Sequence, residues 1–405
     1  MKNRYFTPDQ SLYDITSKYP ETIPIFVSKG FSQLKDEEKR ESFGKSISLK
    51  NALFFRKINI ETFSTLLTET IELSYSESLK NRNGGIKIEG LLPCPVRIPL
   101  TESLEKFIQS DSTLNEDEIN YELKAASMGL DWLKEILVKE EDPDKLSDLF
   151  ISAGFDLFFD EKLMGKFKKR GVFKDLIKYN KLNRDFDNEK IDLKDPKSHY
   201  SMIAVVPAVF LVNTSELNGR KIPESWEDVL DPTFESSVSL PIGDFDLFNA
   251  ILLNIDKIYG EEGVKALGRN LLEGLHPSQM VKSEKQKSNR PAVTIMPYFF
   301  TKMAKGGGPM KPVWPKDGAI ISPIFMLSKN SEKERIKPLV DFFSSVEVGE
   351  ILSHNGLFPS TNPEVDNRLP EGSDFMWMGW DYIYDIDISE KIKKCEEIFD
   401  SSLES

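Results

Sequence analysis

The run SMIAVVPAVFLVN, residues 201–213, is apolar at almost every position, rich in β-branched side chains and bent once, at Pro207. It exceeds the roughly 5–6 residues of an ordinary strand and falls short of the ~20 of a membrane span. It reads as one long strand, able to cross between two sheets. Strand and helix signals alternate around it. IKIEGLL, DLFISAG, SSVSLPIGD, PAVTIMPYF and AIISPIFMLS are short apolar or β-branched runs that end near Pro, Gly or Asp, while TESLEKFIQS and YELKAASMGLDWLKEILVKE carry helical spacing. Strands separated by helices imply a mostly parallel sheet. No repeat of about 20–50 residues interrupts this order.

The first segment is different. SLYDITSKY follows a Thr7-Pro8-Asp9 start, ETIPIFVSKG opens at Pro20 and ends at Gly30, and SISLKNALFF and NIETFSTLLTETIELSY place apolar residues three and four apart. Residues 1–75 therefore read as a small helical domain, and the polar, glycine-ended 76–85 as a linker. The remainder, 86–405, reads as one α/β module.

The 405-residue length predicts two or three packed units. A net charge of -13 argues against a nucleic-acid partner, and the basic run Lys166–Arg170 reads as a solvated helix face. The acidity suits cationic ligands or simply solubility. Two distant cysteines, Cys94 and Cys395, form no disulfide framework. The N-terminus shows no apolar leader and no stretch approaches a membrane span, so the expectation is a cytoplasmic protein, or a periplasmic or cell-surface one if a leader has been removed.

The segments KIEGLLPCPVRIPL, FISAGFDLFF, VVPAVFLVNTSELNGRKIPESWEDVLDPTFESSVSLP, TIMPYFF, WPKDGAIISPIFMLSK and PLVDFFSSVEVGEILSHNGLFPS resemble the ordered blocks of ABC-transporter substrate-binding proteins of the ferric-ion type, over some four-fifths of the chain. The resemblance implies a two-lobed type 2 periplasmic-binding-protein fold with a hinge, preceded by a small all-α domain. Lobe 1 would take about 86–203 and 320–405, and lobe 2 about 204–319, with Ala319–Ile321 returning the chain between them. Trp226 and Leu230 read as packing residues, with Asp231-Pro232 ending their helix. The KYPETIPIFVSKGF region is similar to a small helical domain of unknown function (DUF1858-like). Members with a cysteine pair after that glycine suggest redox or metal chemistry, but GFSQLKDEEKR has none, which leaves packing or partner docking.

Proteins of this kind hold ligand in the cleft, on strand-end turns and helix N-termini. Carried over by position, the candidate ligand-binding residues are Pro93, Cys94 and Pro95 after the first strand, Ser152, Gly154 and Phe155 after the second, Gly243, Asp244 and Phe245 before the helix LFNAILLNI, and Tyr298 and Phe299. Each has a plainer reading: Cys94 as a small buried residue, Ser152–Phe155 as a turn, Asp244 or Asp246 as a helix cap. Ferric binders of the family use adjacent tyrosines, whereas Tyr298-Phe299-Phe300 offers one phenol and two hydrocarbon rings, with Phe300 read as packing. His199, His276 and His354 lack metal-site spacing. Gly306–Gly308 read as a turn rather than a phosphate loop, and FMWMGWDYIYD as a terminal helix packed onto the body.

The expected function is reversible clamping of a small ligand, organic or anionic rather than bare ferric ion, with no catalytic residue, metal or cofactor. The expected partners are that ligand and an ABC permease or a protein docking on the N-terminal domain, with no nucleic acid and no membrane span. The alternative is a cytoplasmic enzyme or ligand sensor on the same two-lobed fold, with Cys94 its one reactive candidate.

Overall fold

The structure, a computed structural model, describes residues 5–28, 30–55, 60, 63–64, 67–68, 70–71, 85–126, 130–186, 191–242, 245–274, 290–303 and 308–403. It divides into two compact units, Met1–Gly85 with Asn120–Glu122, and Ile86–Ile119 with Leu123–Ser405.

In the first unit, helices α1 (Leu12–Lys18), α2 (Ile23–Ser28), α3 (Glu37–Ser46) and α4 (Leu49–Phe55) surround a core that includes Leu12, Ile15, Phe26, Leu34 and Leu53. Ser11 caps α1 by accepting the Asp14 N–H, and Asp36 caps α3 by accepting that of Lys39. Gly30 has φ 91 just past α2, where a side chain would be strained. Most of NIETFSTLLTETIELSY, and the linker apart from Gly85, lie outside the described residues.

After the first unit's helices the chain continues with strand β1 (Ile86–Leu92), helix α5 (Cys94–Ser110), strand β2 (Ile119–Ala125, of which Asn120–Glu122 group with the first unit), helix α6 (Asp131–Lys139), strand β3 (Leu149–Ser152) and helices α7 (Asp156–Phe159) and α8 (Gly165–Lys169). It continues through β4 (Ser201–Asn213), α9 (Trp226–Leu230), β5 (Val238–Leu240), α10 (Phe245–Arg269), β6 (Leu271–Gly274), β7 (Val293–Pro297), β8 (Met310–Val313) and β9 (Ala319–Ser328). The last elements are α11 (Lys333–Phe343), α12 (Val346–Glu350), β10 (Phe375–Met376), α13 (Trp380–Asp385) and α14 (Ile388–Ser401). YELKAASMGLDWLKEILVKE, expected to be helical throughout, is strand β2 in its first part and helix only from Asp131. Pairing at the edge of β1 overrides the helix-favouring Glu, Leu, Lys and Ala there.

Among the described residues the strands form one sheet in the order β2-β1-β3-β9-β4-β7-β5-β6, with β10 beside β9 and β8 beside β4. The β1–β3, β5–β7 and β5–β6 pairs are parallel, whereas β9 runs antiparallel to β3 and β4, and β4 antiparallel to β7. All thirteen residues of β4 are buried. Its first half pairs with β9, from Ser201 opposite Met326 to Ala208 opposite Ile320. Its second half pairs with β7 from Ala208 and with β8 from Phe210. The second unit is therefore a two-lobed α/β fold: β1–β3 lie on one side, β5–β8 on the other, and β4 and β9 belong to both.

Helix α9 fixes the second lobe locally. Ser225 and Asp228 form a reciprocal capping box, Trp226 Nε1 donates to Gly318 O at 2.9 Å, and the Trp226 N–H donates to Asp317 at 2.9 Å. The Trp226 ring is fully buried, 5.0 Å from that of Phe210 on β4. Asp231 caps the next turn, with Pro232 behind it. α10 changes direction at Gly260, whose φ of 67 and ψ of -166 are not helical.

Candidate functional site

In open α/β sheets ligands bind beyond the carboxyl ends of the strands, where short turns expose backbone and helix starts. β1 ends at Leu92, and after the single buried residue Pro93, its N-cap, α5 starts. Pro95 has no N–H, and the N–H groups of Val96 and Arg97 turn back to Pro93 O at 3.0 and 3.2 Å. The start of α5 consequently offers little to an anion, although free helix N–H groups are the usual anion seat.

After β3, the Ser152 hydroxyl donates to Gly154 O at 2.9 Å and accepts from Gly154 N at 3.0 Å. It closes its own turn. Phe155 is fully buried and its ring lies 5.5 Å from that of Phe159. Space at Gly154 is tight: a Cβ there would lie 3.1 Å from both carboxylate oxygens of Asp246 and 2.9 Å from Leu130 Cδ1, so these side chains would have to shift. Asp246 is in the first turn of α10, so this contact joins the β3 turn of one lobe to the helix start of the other.

At the end of β7, Tyr298 is half-buried, its ring edge-on to Trp314 at 5.1 Å, and burial holds its phenol above the usual pKa. Trp314 Nε1 donates to Asp374 O at 2.7 Å. Phe299 and Phe300 meet edge to face at 5.2 Å, and Phe300 packs on Leu211, Met296 and Met310, in agreement with its reading as a packing residue. Lys302, whose pKa burial lowers, donates from Nζ to His354 O at 3.0 Å. Since residues 351–355 pack on α5, this is a second contact between lobes.

Of the sequence candidates, the structure thus places Pro93, Pro95, Ser152, Gly154, Phe155, Tyr298 and Phe299 at strand ends and brings Gly154 against the start of α10. Gly243 and Asp244 lie outside the described residues, as do the side chains of Cys94 and Phe245, all of His276, and Gly306 and Gly307. Asp246, which the sequence marks only as a helix cap, and Lys302 and Trp314, which carry no local signal, join the candidate site through partners far away in sequence. The aromatic C-terminal stretch packs as expected, with Trp377, Met378 and Trp380 buried.

Two lobes joined by a neck of shared strands, with strand-end turns on either side of it, define the periplasmic-binding-protein fold. The chain belongs to the bacterial extracellular solute-binding protein family, whose model matches residues 144–385, and residues 6–63 match a domain of unknown function, DUF1858. Similar solved structures include the ferric binding protein from Campylobacter jejuni, at 15% identity over 78% of this chain and 99% of that one, with a TM-score of 0.53. The periplasmic binding protein AfuA from Actinobacillus pleuropneumoniae, with fructose-6-phosphate bound, is similar at 15% identity over 80% of this chain and 99% of that one, with a TM-score of 0.52. A Trichodesmium protein in complex with iron and citrate follows at 13% identity over 78% of this chain and 99% of that one, with a TM-score of 0.55. At such identities these structures establish the fold. No curated protein matches the chain. The family is described as extracellular, which lends no support to the cytoplasmic expectation. Among the described residues no helix is long and apolar enough to cross a membrane.

Proposed function

We propose that this protein is the ligand-receiving component of an ABC-type transport system, and that its two lobes close over a neutral or cationic organic solute rather than bare ferric ion. The observation that carries the reading is the Tyr298 stretch. It holds one phenol, set against the Trp314 ring, beside the Phe299 ring, where paired phenolate oxygens would be needed for a hard trivalent ion. Aromatic rings enclose organic groups and attract cations. Two further features favour this charge class over an anion: the prolines at the start of α5, and the Asp246 carboxylate in the first turn of α10. The clamp makes and breaks no bond; the ligand's greater affinity for the closed state drives closure.

The test is thermal-shift screening of the full chain against amines, amino acids, sugars, sugar phosphates, ferric citrate and ferric ion, with calorimetry on hits. Stabilisation by an uncharged or cationic organic compound supports the reading. Stabilisation by ferric ion alone, or only by phosphorylated compounds, overturns it.

A further inference from the structure

Beyond the neck, the C-terminal segment touches both lobes. Its short helix α13 presents Trp380 and Tyr384, one turn apart, to the first lobe. The Trp380 ring stacks on Tyr200 at 5.5 Å and on Tyr384 at 5.6 Å. The Tyr384 hydroxyl donates to Asp195 at 2.7 Å, and the Lys197 ammonium lies 3.6 Å from the Tyr384 ring centre. Tyr200 in turn packs on Phe325 of β9 and Phe159 of α7. On another side of the same segment, the Tyr382 hydroxyl donates to Asp256 at 3.2 Å, and Lys257 Nζ donates to Met378 O at 2.7 Å. Asp256 and Lys257 belong to α10 of the second lobe.

Helix α14 repeats the arrangement. At its start Lys162 lies 3.1 Å from Asp387 and 2.9 Å from Glu390, and the Ser389 hydroxyl donates to Asp160 at 2.6 Å, all first-lobe contacts. On its other side Lys391 meets Asp256 at 2.6 Å, Lys394 pairs with Glu261, and the Phe399 ring lies 5.2 Å from Phe248, all contacts with α10.

We infer that residues 377–403 are an interlobe strap, a third connection beside β4 and β9, which limits how far the lobes open. Rotation about the neck moves α10 relative to Tyr200 and Asp160. Because α13 and α14 hold both, opening must strain or release one set of contacts. The inference rests on the two-lobed fold and not on the nature of the ligand, so its test is made without ligand.

Spin labels at Gln109→Cys on α5 and Glu235→Cys beyond α9, both exposed positions, in a Cys94→Ser background, report the interlobe distance; Cys395 is fully buried. Lys162→Ala with Tyr384→Phe releases the first-lobe side of the strap, and Tyr382→Phe with Lys391→Ala the second-lobe side. Each pair should shift the distribution to longer distances and broaden it, with unchanged far-UV circular dichroism. Should one pair fail to fold, the other decides. Folded variants that keep the wild-type distribution overturn the strap.

Discussion

Pro207 on β4 lies opposite Ile321, and Pro323 on β9 lies opposite Val205, two rungs away on the same antiparallel ladder. The Val205 N–H points away from β9, donating to Pro359 O at 3.0 Å, so the nitrogen of Pro207, two residues on, also faces outward. The Val205–Pro323 rung is accordingly one without mutual hydrogen bonds, and Pro323 likewise turns its nitrogen to the outer edge. The β3 ladder on β9 stops at Ser152 opposite Phe325, and the β7 ladder on β4 starts at Ala208 opposite Pro297. Between these limits, among the described residues, the only further pairing on β4 is the short bridge of Ile203–Val205 to residues 359–361, and each proline denies a donor to strands that could extend along its edge. A narrow ribbon bends at less cost than a wide sheet.

Pro207→Ala should lower stability by only about 0.4–1 kcal/mol, through the added freedom of the unfolded chain. Urea denaturation measures this. A loss of several kcal/mol would show that the ring acts as core filling and not as an edge guard.

Gly154→Ala should disfavour closure, because the added methyl meets the Asp246 carboxylate at 3.1 Å. The expected result is a longer interlobe distance by spin labels and weaker affinity for any hit from the solute screen. The melting temperature without ligand should fall only by what it costs the Leu130 side chain, 2.9 Å from the new methyl, to shift, since opening relieves the Asp246 contact alone. Asp246→Ala in the same chain should recover part of the closure.

Trp226→Phe keeps most of the buried ring but leaves Gly318 O without its 2.9 Å donor. The expected cost is about 1–3 kcal/mol by urea denaturation. Trp226→Ala should cost about 3–5 kcal/mol, because it also empties the space beside Phe210.

Lys168 is buried, donates to the Tyr200 hydroxyl at 2.7 Å and lies 3.8 Å from Glu161; burial pulls its pKa from 10.5 down to about 8. Between those values the unfolded chain holds a proton that the folded chain has released, so this group makes stability rise with pH from about 8 to 10.5. Below that window the buried charge is a cost. Lys168→Met should therefore be the more stable protein at pH 7, and its advantage over the parent should shrink toward pH 10. Unfolding free energies of both proteins across this range provide the check.

The apolar runs that became β1, β3, β4, β5, β7 and β9 were legible because alternation or continuous β-branched sequence reports strand burial directly. β2 was not, because YELKA has helix-favouring composition and becomes a strand only through its neighbour. At the site, the strand-end turns were legible as breaks in pattern. The pairs that bring the lobes together were not: Lys302 meets His354 across 52 positions, and Gly154 meets Asp246 from another lobe. Nothing local marks either contact. The double role of the C-terminal segment was hidden for the same reason. Its aromatic residues announce burial, yet Trp380 and the half-buried Tyr382, two positions apart, face different lobes.

The sharing of β4 and β9 also imposes an order of assembly. Lobe 2 draws its strands from one continuous stretch, since the second half of β4 and β5 through β8 all lie between residues 207 and 313. Lobe 1 starts at Ile86, yet β3 lacks its partner on one side until β9 has been made, with Leu149 waiting for Ser328. On a ribosome working from N- to C-terminus, the lobe encoded first is thus the one completed last. Its unpaired β3 edge stays open from the synthesis of Ser152 until Ser328 has emerged, and the chain must keep that edge from other partners over the whole of lobe 2.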